Sequence, residues 1–130
     1  MSVSAYITGI QHVGIPSIDL DATMAFYKSL GFTQAGLFPN GQNRCAFMRL
    51  GNLTIETWEG DPTNPTAGAI NHISLNTTDV DQAFAAAKEQ GLDLVNDEVQ
   101  SIPSFWDHGI RFFNILGPNH ETIEFCQILD

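Results

Sequence analysis

Two stretches of equal length decide how this chain is organised. Residues 12–32 read HVGIPSIDLDATMAFYKSLGF, and residues 72–92 read HISLNTTDVDQAFAAAKEQGL. Aligned at an offset of 60 without a gap, the two stretches share one His, two Asp, one Ala, one Lys and one Gly at equivalent positions. So many coincidences in one ungapped window predict that the chain contains two copies of one supersecondary unit.

Each copy predicts a strand followed by a helix. The strands are predicted at 6–15 and 69–76, because both segments are rich in Ile, Val and Leu. Asp79 is a suitable helix N-cap, and Gln82 is placed to complete a capping box. An apolar residue then recurs every three or four positions, which predicts one buried helix face, and Gly91 is placed to end the helix in a left-handed conformation.

Three short strands are predicted after each helix, separated by turns rich in Gly, Pro and Asn. They lie near 32–38, 43–50 and 53–59 in the first copy, and near 93–99, 109–116 and 121–128 in the second. The predicted fold class is therefore α+β, built from paired βαβββ modules. The modules are expected at about 6–59 and 69–128, joined by a linker at 60–68, within a single domain that spans 1–130.

Composition and charge restrict the classes of function. The chain has 130 residues, and its 15 acidic and 5 basic side chains give a net charge of −10. This charge argues against binding to nucleic acid and to anionic membranes. No segment is long enough to span a bilayer, and the N-terminus does not resemble a signal peptide. Because Cys45 and Cys126 are expected to be buried free thiols, we expect a cytoplasmic protein.

Each copy also places one His on its first strand and one Glu on its last strand. The pairs are His12 with Glu56 and His72 with Glu124, separated by 44 and 52 residues. A single His or Glu on a strand is more often structural or solvent-facing, but equivalent positions in a duplicated unit favour a shared role. Two imidazoles and two carboxylates on sheet faces would be costly without a cation. The sequence therefore predicts a divalent transition metal bound by these four residues, and Ni²⁺, Zn²⁺, Co²⁺, Fe²⁺ and Mn²⁺ all suit them.

The motifs of this chain resemble those of the vicinal oxygen chelate superfamily, whose fold is also called the glyoxalase/bleomycin resistance/dihydroxybiphenyl dioxygenase fold. The resemblance rests on residues 12–32, on IET at 55–57, on NHISL at 71–75 and on FNILGPNHETIEF at 113–125. It implies paired βαβββ modules around a cup, where a metal chelates neighbouring oxygens of a small-molecule substrate. This fold hosts many functions, so it does not by itself select the reaction.

Within the superfamily, the ligand set implies a metal-dependent lyase or isomerase resembling glyoxalase I. Two His and two Glu form the glyoxalase I set, whereas epimerases usually carry Gln in place of Glu56. Extradiol dioxygenases and fosfomycin-modifying relatives need only His12, His72 and Glu124. By resemblance, Glu124 is the better candidate for the base that moves a proton between adjacent carbons, with Glu56 in the complementary position. Relatives of this length often pair modules across a two-fold interface, which implies a homodimer, although a site within one chain is also compatible with the sequence.

Two positions depart from glutathione-dependent glyoxalase I. Those enzymes commonly carry Arg four residues after the first His and Asn four residues after the first Glu, whereas this chain has Pro16 and Gly60 there. The departure argues against glutathione and leaves other functions open. One is that of a non-catalytic or antibiotic-sequestering protein resembling the bleomycin-binding relatives, and another is that of a different enzyme of the superfamily, such as an epimerase or an extradiol dioxygenase. Phe105 and Trp106 are candidate pocket walls. His108 and His120 lack repeat partners, and His120 is expected in a surface turn.

Overall fold

The computed structural model of the chain describes residues 2–130. The chain forms two compact units that divide between Pro62 and Thr63. One copy of the sequence repeat falls in each unit, so each unit corresponds to one predicted βαβββ module.

The first unit opens with a short 3₁₀ helix, Val3–Tyr6, and continues with the predicted order of elements. These are β1 (Val13–Pro16), α1 (Leu20–Ser29), β2 (Thr33–Asn40), β3 (Asn43–Leu50) and β4 (Leu53–Trp58). The strands form a sheet in the order β1-β4-β3-β2. The edge strand β1 runs parallel to β4, and the other neighbours are antiparallel.

The second unit repeats this arrangement with one additional short strand. Its elements are β5 (Ile73–Asn76), α2 (Val80–Glu89), β6 (Asp93–Leu94), β7 (Gln100–Ile102), β8 (Ile110–Leu116) and β9 (Thr122–Ile128). The strand order is β5-β9-β8-β6, and β7 also pairs with β8. As in the first unit, the first strand of the module lies parallel to the last one. The α+β fold of βαβββ modules is thus confirmed.

The predicted N-cap Asp79 and terminal Gly91 are confirmed for α2, and their repeat partners Asp19 and Gly31 take the same roles in α1. Asp19 and Asp79 each accept the backbone N–H of the residue three positions later at 3.1 Å, and the amide of Gln82 donates to the second oxygen of Asp79 at 2.8 Å. Gly31 and Gly91, which follow the helices, have φ values of 96° and 73°. A residue with a Cβ rarely adopts this conformation, so glycine suits both helix ends.

Each helix covers its own sheet with the predicted apolar face. On α1 the buried residues include Leu20, Met24 and Tyr27, and on α2 they include Val80 and Ala87. The rest of each core comes from the sheets, for example Met48 and Ile55 in the first unit and Phe113, Ile115 and Ile123 in the second. Because the helix covers one face of each sheet, the functional residues must be sought on the other face. The helices in the described part of the chain lack the length and the apolar character of a membrane-spanning segment.

The first strand of each module is shorter than predicted. The segment predicted at 6–15 pairs only over Val13–Pro16, and the segment predicted at 69–76 pairs only over Ile73–Asn76. The reason in the first unit is the length of the partner strand. Strand β4 begins at Leu53, directly after a turn, so it offers no partners to residues far before Val13.

The strand predicted at 93–99 is also wrong in its extent. The structure has only Asp93–Leu94 there, and a separate strand begins at Gln100. Between them, the side-chain oxygen of Asn96 accepts the backbone N–H of Asn114 at 2.7 Å. This side chain takes the place of a backbone carbonyl in the ladder with β8, so regular strand pairing stops after Leu94.

A duplicated ion pair joins each helix to its sheet. In the first unit, Arg44 of β3 bonds both carboxylate oxygens of Asp21 at 3.1 and 3.3 Å and reaches Glu59 at 2.8 Å. In the second unit, Arg111 of β8 bonds both oxygens of Asp81 at 2.7 and 2.9 Å. Hydrogen bonds from these guanidinium groups lower the pKa of all three carboxyl groups. The two aspartates are repeat partners, so this ion pair between helix and sheet is part of the duplicated unit.

We expect Arg44→Met to lower the free energy of unfolding at neutral pH and to make it less sensitive to acid. Because Arg44 lowers the pKa of Asp21 and Glu59 in the folded state, their stabilising effect is complete above their ordinary pKa values and is lost as pH falls through the lower folded values. The stability difference between the wild-type protein and the variant should therefore shrink from roughly pH 5 to pH 2, as measured by urea unfolding. The effect should be small, since the pairs are partly exposed.

The matched control for this experiment is Arg49→Met. Arg49 donates to the hydroxyl of Thr54 at 3.1 Å, and this partner carries no charge. Its stability difference should not vary with pH over the same range. If the difference in unfolding free energy between the wild-type protein and Arg44→Met did not change with pH, the role assigned to the Arg44 ion pairs would be wrong.

Candidate functional site

The two candidate glutamates occupy the same place in their own sheets. Glu56 of β4 lies in register with Gly14 of the parallel edge strand and with Phe47 on its other side. Glu124 of β9 lies in register with Ser74 and Asn114 in the same two directions. Since neighbouring residues in register share a sheet face, these side chains define the face of each sheet that carries the candidate site.

Each unit brings its predicted His and Glu together. The Nε2 atom of His12 lies 3.7 Å from Oε2 of Glu56, and the Nε2 atom of His72 lies 4.0 Å from Oε2 of Glu124. The two histidines stand one residue before β1 and β5, rather than inside the strands as predicted. This position leaves both imidazoles exposed at the start of the strand, while the glutamates remain half-buried.

Both imidazoles use their other ring nitrogen in the same way. The Nδ1 atom of His12 is hydrogen-bonded to the side-chain oxygen of Gln11, and that of His72 is hydrogen-bonded to the side-chain oxygen of Asn71 at 2.9 Å. With an amide oxygen as acceptor, Nδ1 carries the proton and Nε2 presents its lone pair near the carboxylate. Histidines that bind metals usually donate their second N–H to such an acceptor, because this fixes the tautomer and the ring orientation.

The geometry of each pair fits a shared cation. Separations of 3.7 and 4.0 Å exceed the length of a hydrogen bond. Two donors that each bind a metal at about 2.0–2.2 Å can, however, lie up to about 4.2 Å apart. Within either unit, the described residues contain no group of three or more His, Cys, Asp or Glu side chains placed to hold a metal. Each unit taken alone therefore offers one imidazole nitrogen and one carboxylate oxygen to a cation.

Aromatic side chains and a polar cleft surround the first pair. The ring of Phe47 meets that of His12 edge-on, with centroids 5.9 Å apart. Glu56 also borders a cleft of about 310 Å³, whose walls include Asn43, Arg44 and Trp58. Burial, followed by the charge of Glu56, raises the pKa of the Cys45 thiol in this cleft. The thiol is therefore held in its neutral form.

Most charged side chains that line the cleft already have a bonding partner. Arg44 is bonded to Asp21 and Glu59, as described above, and the indole N–H of Trp58 donates to Asp61 at 2.7 Å. Gly60, also in the wall, has φ of 101°, and a Cβ there would lie 2.6 Å from the amide nitrogen of Asn43. Among the described lining residues, the cleft thus offers no unpaired cation to an anionic ligand.

A serine hydroxyl contacts the second pair. Ser74 donates to Oε1 of Glu124 at 2.7 Å, and its oxygen also lies 3.2 Å from the sulfur of Cys126. The sequence reasoning missed Ser74, although the alternation of side chains along a strand would have placed it on the same face as His72. It also missed Phe47 and Asn43, for which the sequence carries no specific signal.

The remaining candidates lie at the surface. Phe105, Trp106 and His108 are all exposed in the loop between β7 and β8. His120 is exposed in the turn between β8 and β9, as predicted. Of the two cysteines, both free thiols, Cys126 is buried and Cys45 is half-buried.

Comparison with known families identifies the superfamily. A family model described as the glyoxalase/bleomycin resistance protein/dioxygenase superfamily matches residues 11–112. The chain belongs to this superfamily. A relative of this chain, the uncharacterized protein YwbC of Bacillus subtilis (strain 168), is 30% identical over 125 residues, which cover 91% of this chain and 96% of the relative.

Solved structures show the same superfamily fold. A glyoxalase/bleomycin resistance protein/dioxygenase from Alicyclobacillus acidocaldarius superposes with a TM-score of 0.73 at 20% identity, over 94% of this chain and 92% of that one. The fosfomycin resistance protein FosX from Listeria monocytogenes, complexed with Mn(II) and sulfate, gives 0.73 at 18% identity, over 95% and 94%. A glyoxalase I mutant from Zea mays gives 0.76 at 18% identity, over 92% of this chain and 45% of that one. At these identities the likeness establishes the fold of this superfamily member and not its reaction.

Proposed function

We propose that this chain is a metal-dependent lyase or isomerase resembling glyoxalase I. Its ligands for one divalent transition metal are His12, Glu56, His72 and Glu124, carried by paired modules of a single domain. The observation that carries the proposal is the duplicated pair. In each unit, a His whose Nδ1 is held by an amide oxygen presents Nε2 beside a carboxylate on the uncovered sheet face.

The donor set fits such a metal, because imidazole nitrogen and carboxylate oxygen suit Ni, Zn, Co, Fe and Mn ions. When bound, the ion would act as a Lewis acid that polarises a substrate carbonyl. Each imidazole is oriented by the hydrogen bond at Nδ1, so that its Nε2 atom would be available to the ion. Glu124 takes a proton onto its carboxylate from the carbon beside the carbonyl and returns it to the adjacent carbon, and Glu56 occupies the complementary position.

The proposed substrate is an α-hydroxycarbonyl or dicarbonyl-derived compound, and the glutathione adduct of methylglyoxal is not the preferred one. Pro16 and Gly60 offer no side-chain donors where relatives bind glutathione. The cleft beside Glu56 does not replace them, because Arg44 is already bonded to two carboxylates. A glutathione carboxylate would therefore meet no free cation among the described cleft residues, and it would be repelled by those carboxylates.

The proposal is tested by a lyase assay with methylglyoxal and a thiol, in which Ni²⁺, Zn²⁺, Co²⁺ and Mn²⁺ are supplied in turn. We expect the adduct of a thiol without carboxylates to be converted with a higher kcat/KM than the glutathione adduct. A glutathione value of ~10⁴ M⁻¹s⁻¹ or above would show that the substrate restriction is wrong and that the protein is an ordinary glyoxalase I.

A second candidate function is the sequestering of a small cationic ligand. The acidic balance of the chain favours it, as do three carboxylates in the cleft, those of Glu56, Glu59 and Asp61. The same assay separates the two functions. Absence of turnover with every metal, together with tight binding of a cationic drug such as bleomycin, would favour sequestering.

The proposed assembly is a homodimer in which the His12–Glu56 pair of one copy meets the His72–Glu124 pair of the other. The resemblance to relatives of this length supports it, and so does the single His–Glu pair in each unit, since the proposed site needs two such pairs. The free thiols of Cys45 and Cys126 support a reducing, cytoplasmic location.

A further inference from the structure

The two glutamates differ in what lies beside them on the parallel strand. In register with Glu56 is Gly14, which has no side chain, and in register with Glu124 is Ser74. The Ser74 hydroxyl lies 2.7 Å from Oε1 of Glu124. Both units therefore have a His–Glu pair, but only in the second unit does the residue in register on the parallel strand donate a hydrogen bond to the carboxylate.

Packing enforces this difference. Two positions after the glutamates, on the same sheet faces, stand Trp58 and Cys126. A Cβ added to Gly14 would lie 3.1 and 3.2 Å from two ring carbons of Trp58, so the indole fills the space that a side chain would need. Cys126 is much smaller, and its sulfur contacts the Ser74 oxygen at 3.2 Å. A hydroxyl fits beside Glu124, whereas a side chain beside Glu56 would require the indole to shift.

We propose that Ser74 is a positioning residue that orients Glu124, and thereby makes Glu124 rather than Glu56 the base; this inference rests on the proposed function. Ser74 has one hydroxyl proton, and an ionised carboxylate is a stronger acceptor than a thiol sulfur. The proton therefore goes to Oε1 of Glu124, although the Ser74 hydroxyl is also within donating distance of the Cys126 sulfur. The second oxygen, Oε2, remains on the side of His72.

The hydrogen bond matters because a base that is also a ligand must change partners. The Glu124 side chain is only 17% exposed, compared with 27% for Glu56. Water can therefore replace a hydrogen bond lost by the Glu124 carboxylate less readily than one lost by Glu56. Ser74 supplies a bond that Glu124 keeps throughout, and this bond fixes the direction in which the free oxygen points. Proton transfer depends first on such geometry. The described residues give Glu56 no hydroxyl donor of this kind.

The test uses Co²⁺ as the probe, because its visible absorption reports the ligand geometry. Supporting residues around metal ligands typically contribute about 10-fold or more to affinity. We expect Ser74→Ala to weaken Co²⁺ binding about 10-fold and to shift the absorption bands. Ser74→Thr and Ser74→Val form a matched pair that differs only in the hydroxyl, so Thr should stay near wild type and Val should behave like Ala. In the lyase assay at saturating Co²⁺, Ser74→Ala should lower kcat while leaving KM unchanged.

Thr77→Val is the control for general damage to the β5–β9 edge. The Thr77 hydroxyl donates to the backbone oxygen of Cys126 at 3.0 Å and does not reach Glu124. Its Co²⁺ affinity and spectrum should match those of the wild-type protein. Equal effects of Thr77→Val and Ser74→Ala would overturn the inference, because the edge and not the hydroxyl would then be responsible.

The outcomes also separate this inference from the proposed function. If Ser74→Ala and Ser74→Val both keep the wild-type affinity and spectrum while Glu124→Ala loses binding, Glu124 is a ligand and Ser74 does not position it. If the wild-type protein binds no Co²⁺, or if Glu124→Ala binds it fully, the proposed metal centre itself is wrong and the role of Ser74 falls with it.

Discussion

A variant in which both His12 and His72 are replaced by Ala should lose transition-metal binding. Both residues present Nε2 beside a glutamate, at 3.7 and 4.0 Å, and both are oriented through Nδ1. Structural zinc sites with four protein ligands bind with about 10–16 kcal/mol, or roughly 3 kcal/mol per ligand. Removing two ligands should therefore weaken affinity by about 10⁴-fold. The measurement is calorimetric titration with Zn²⁺, Ni²⁺, Co²⁺ and Mn²⁺, together with the metal content of the purified protein.

His108→Ala is the matched control, since this exposed histidine has no repeat partner and lies in the loop between β7 and β8. It should leave metal binding unchanged. Full metal retention by the double variant would show that the ligand assignment is wrong.

The two single histidine variants also test the homodimer. If the pairs meet across a two-fold interface, a mixed dimer of His12→Ala and His72→Ala chains has one site with both histidines intact and one with neither. After random exchange, about a quarter of all sites should bind metal normally, although neither variant does so alone. A site formed within one chain would show no such recovery, and a monomeric mass at micromolar concentration would exclude the dimer.

Glu124→Gln is expected to reduce turnover by about 10³-fold in the best substrate and metal combination, within the usual range for a lost acid–base group. The amide has nearly the same shape, and its oxygen can still accept the Ser74 hydroxyl, but it cannot take up a proton. The assay should be run at saturating metal, with metal content measured in parallel, so that lost binding is not mistaken for lost chemistry.

Glu56→Gln is the paired control for this experiment. It changes a carboxylate at the equivalent place in the other sheet, where no hydroxyl stands beside it. Its effect on kcat should be clearly smaller than that of Glu124→Gln. The opposite order would move the role of base to Glu56.

The sequence predicted those parts of the molecule that repeat in register. The ungapped offset located both helices with their Asp caps and Gly ends, and it paired His12 with His72. The glutamates lie outside that window, and the repeated order of elements assigned one of them to each histidine. It did not locate the ends of the first strands, because these depend on where the partner strand begins. The predicted strand extends over residues 95–99 because the sequence does not show that the Asn96 side-chain oxygen, and not a backbone carbonyl, accepts the N–H of Asn114.

Contacts between distant residues were the other part that the sequence did not predict. Arg44 and Arg111 lie outside the ungapped repeat window, so their common partnership with Asp21 and Asp81 is visible only in the fold. The role of Ser74 was missed for a similar reason. Its significance depends on the register between β5 and β9, which no local pattern specifies.

The exchange of Gly14 and Trp58 in one module for Ser74 and Cys126 in the other has a consequence for how such a duplicated chain can evolve. A Cβ at position 14 would lie 3.1 Å from the indole ring, so a serine there would require the ring to move by a few tenths of an ångström. Shrinking the tryptophan first would leave a gap beside a glycine. The cost of a side chain at position 14 thus depends on the residue at position 58, which makes the two positions epistatic. Restoring the symmetry of the two modules at this place would therefore take coordinated substitutions at both positions, and a single one would not suffice.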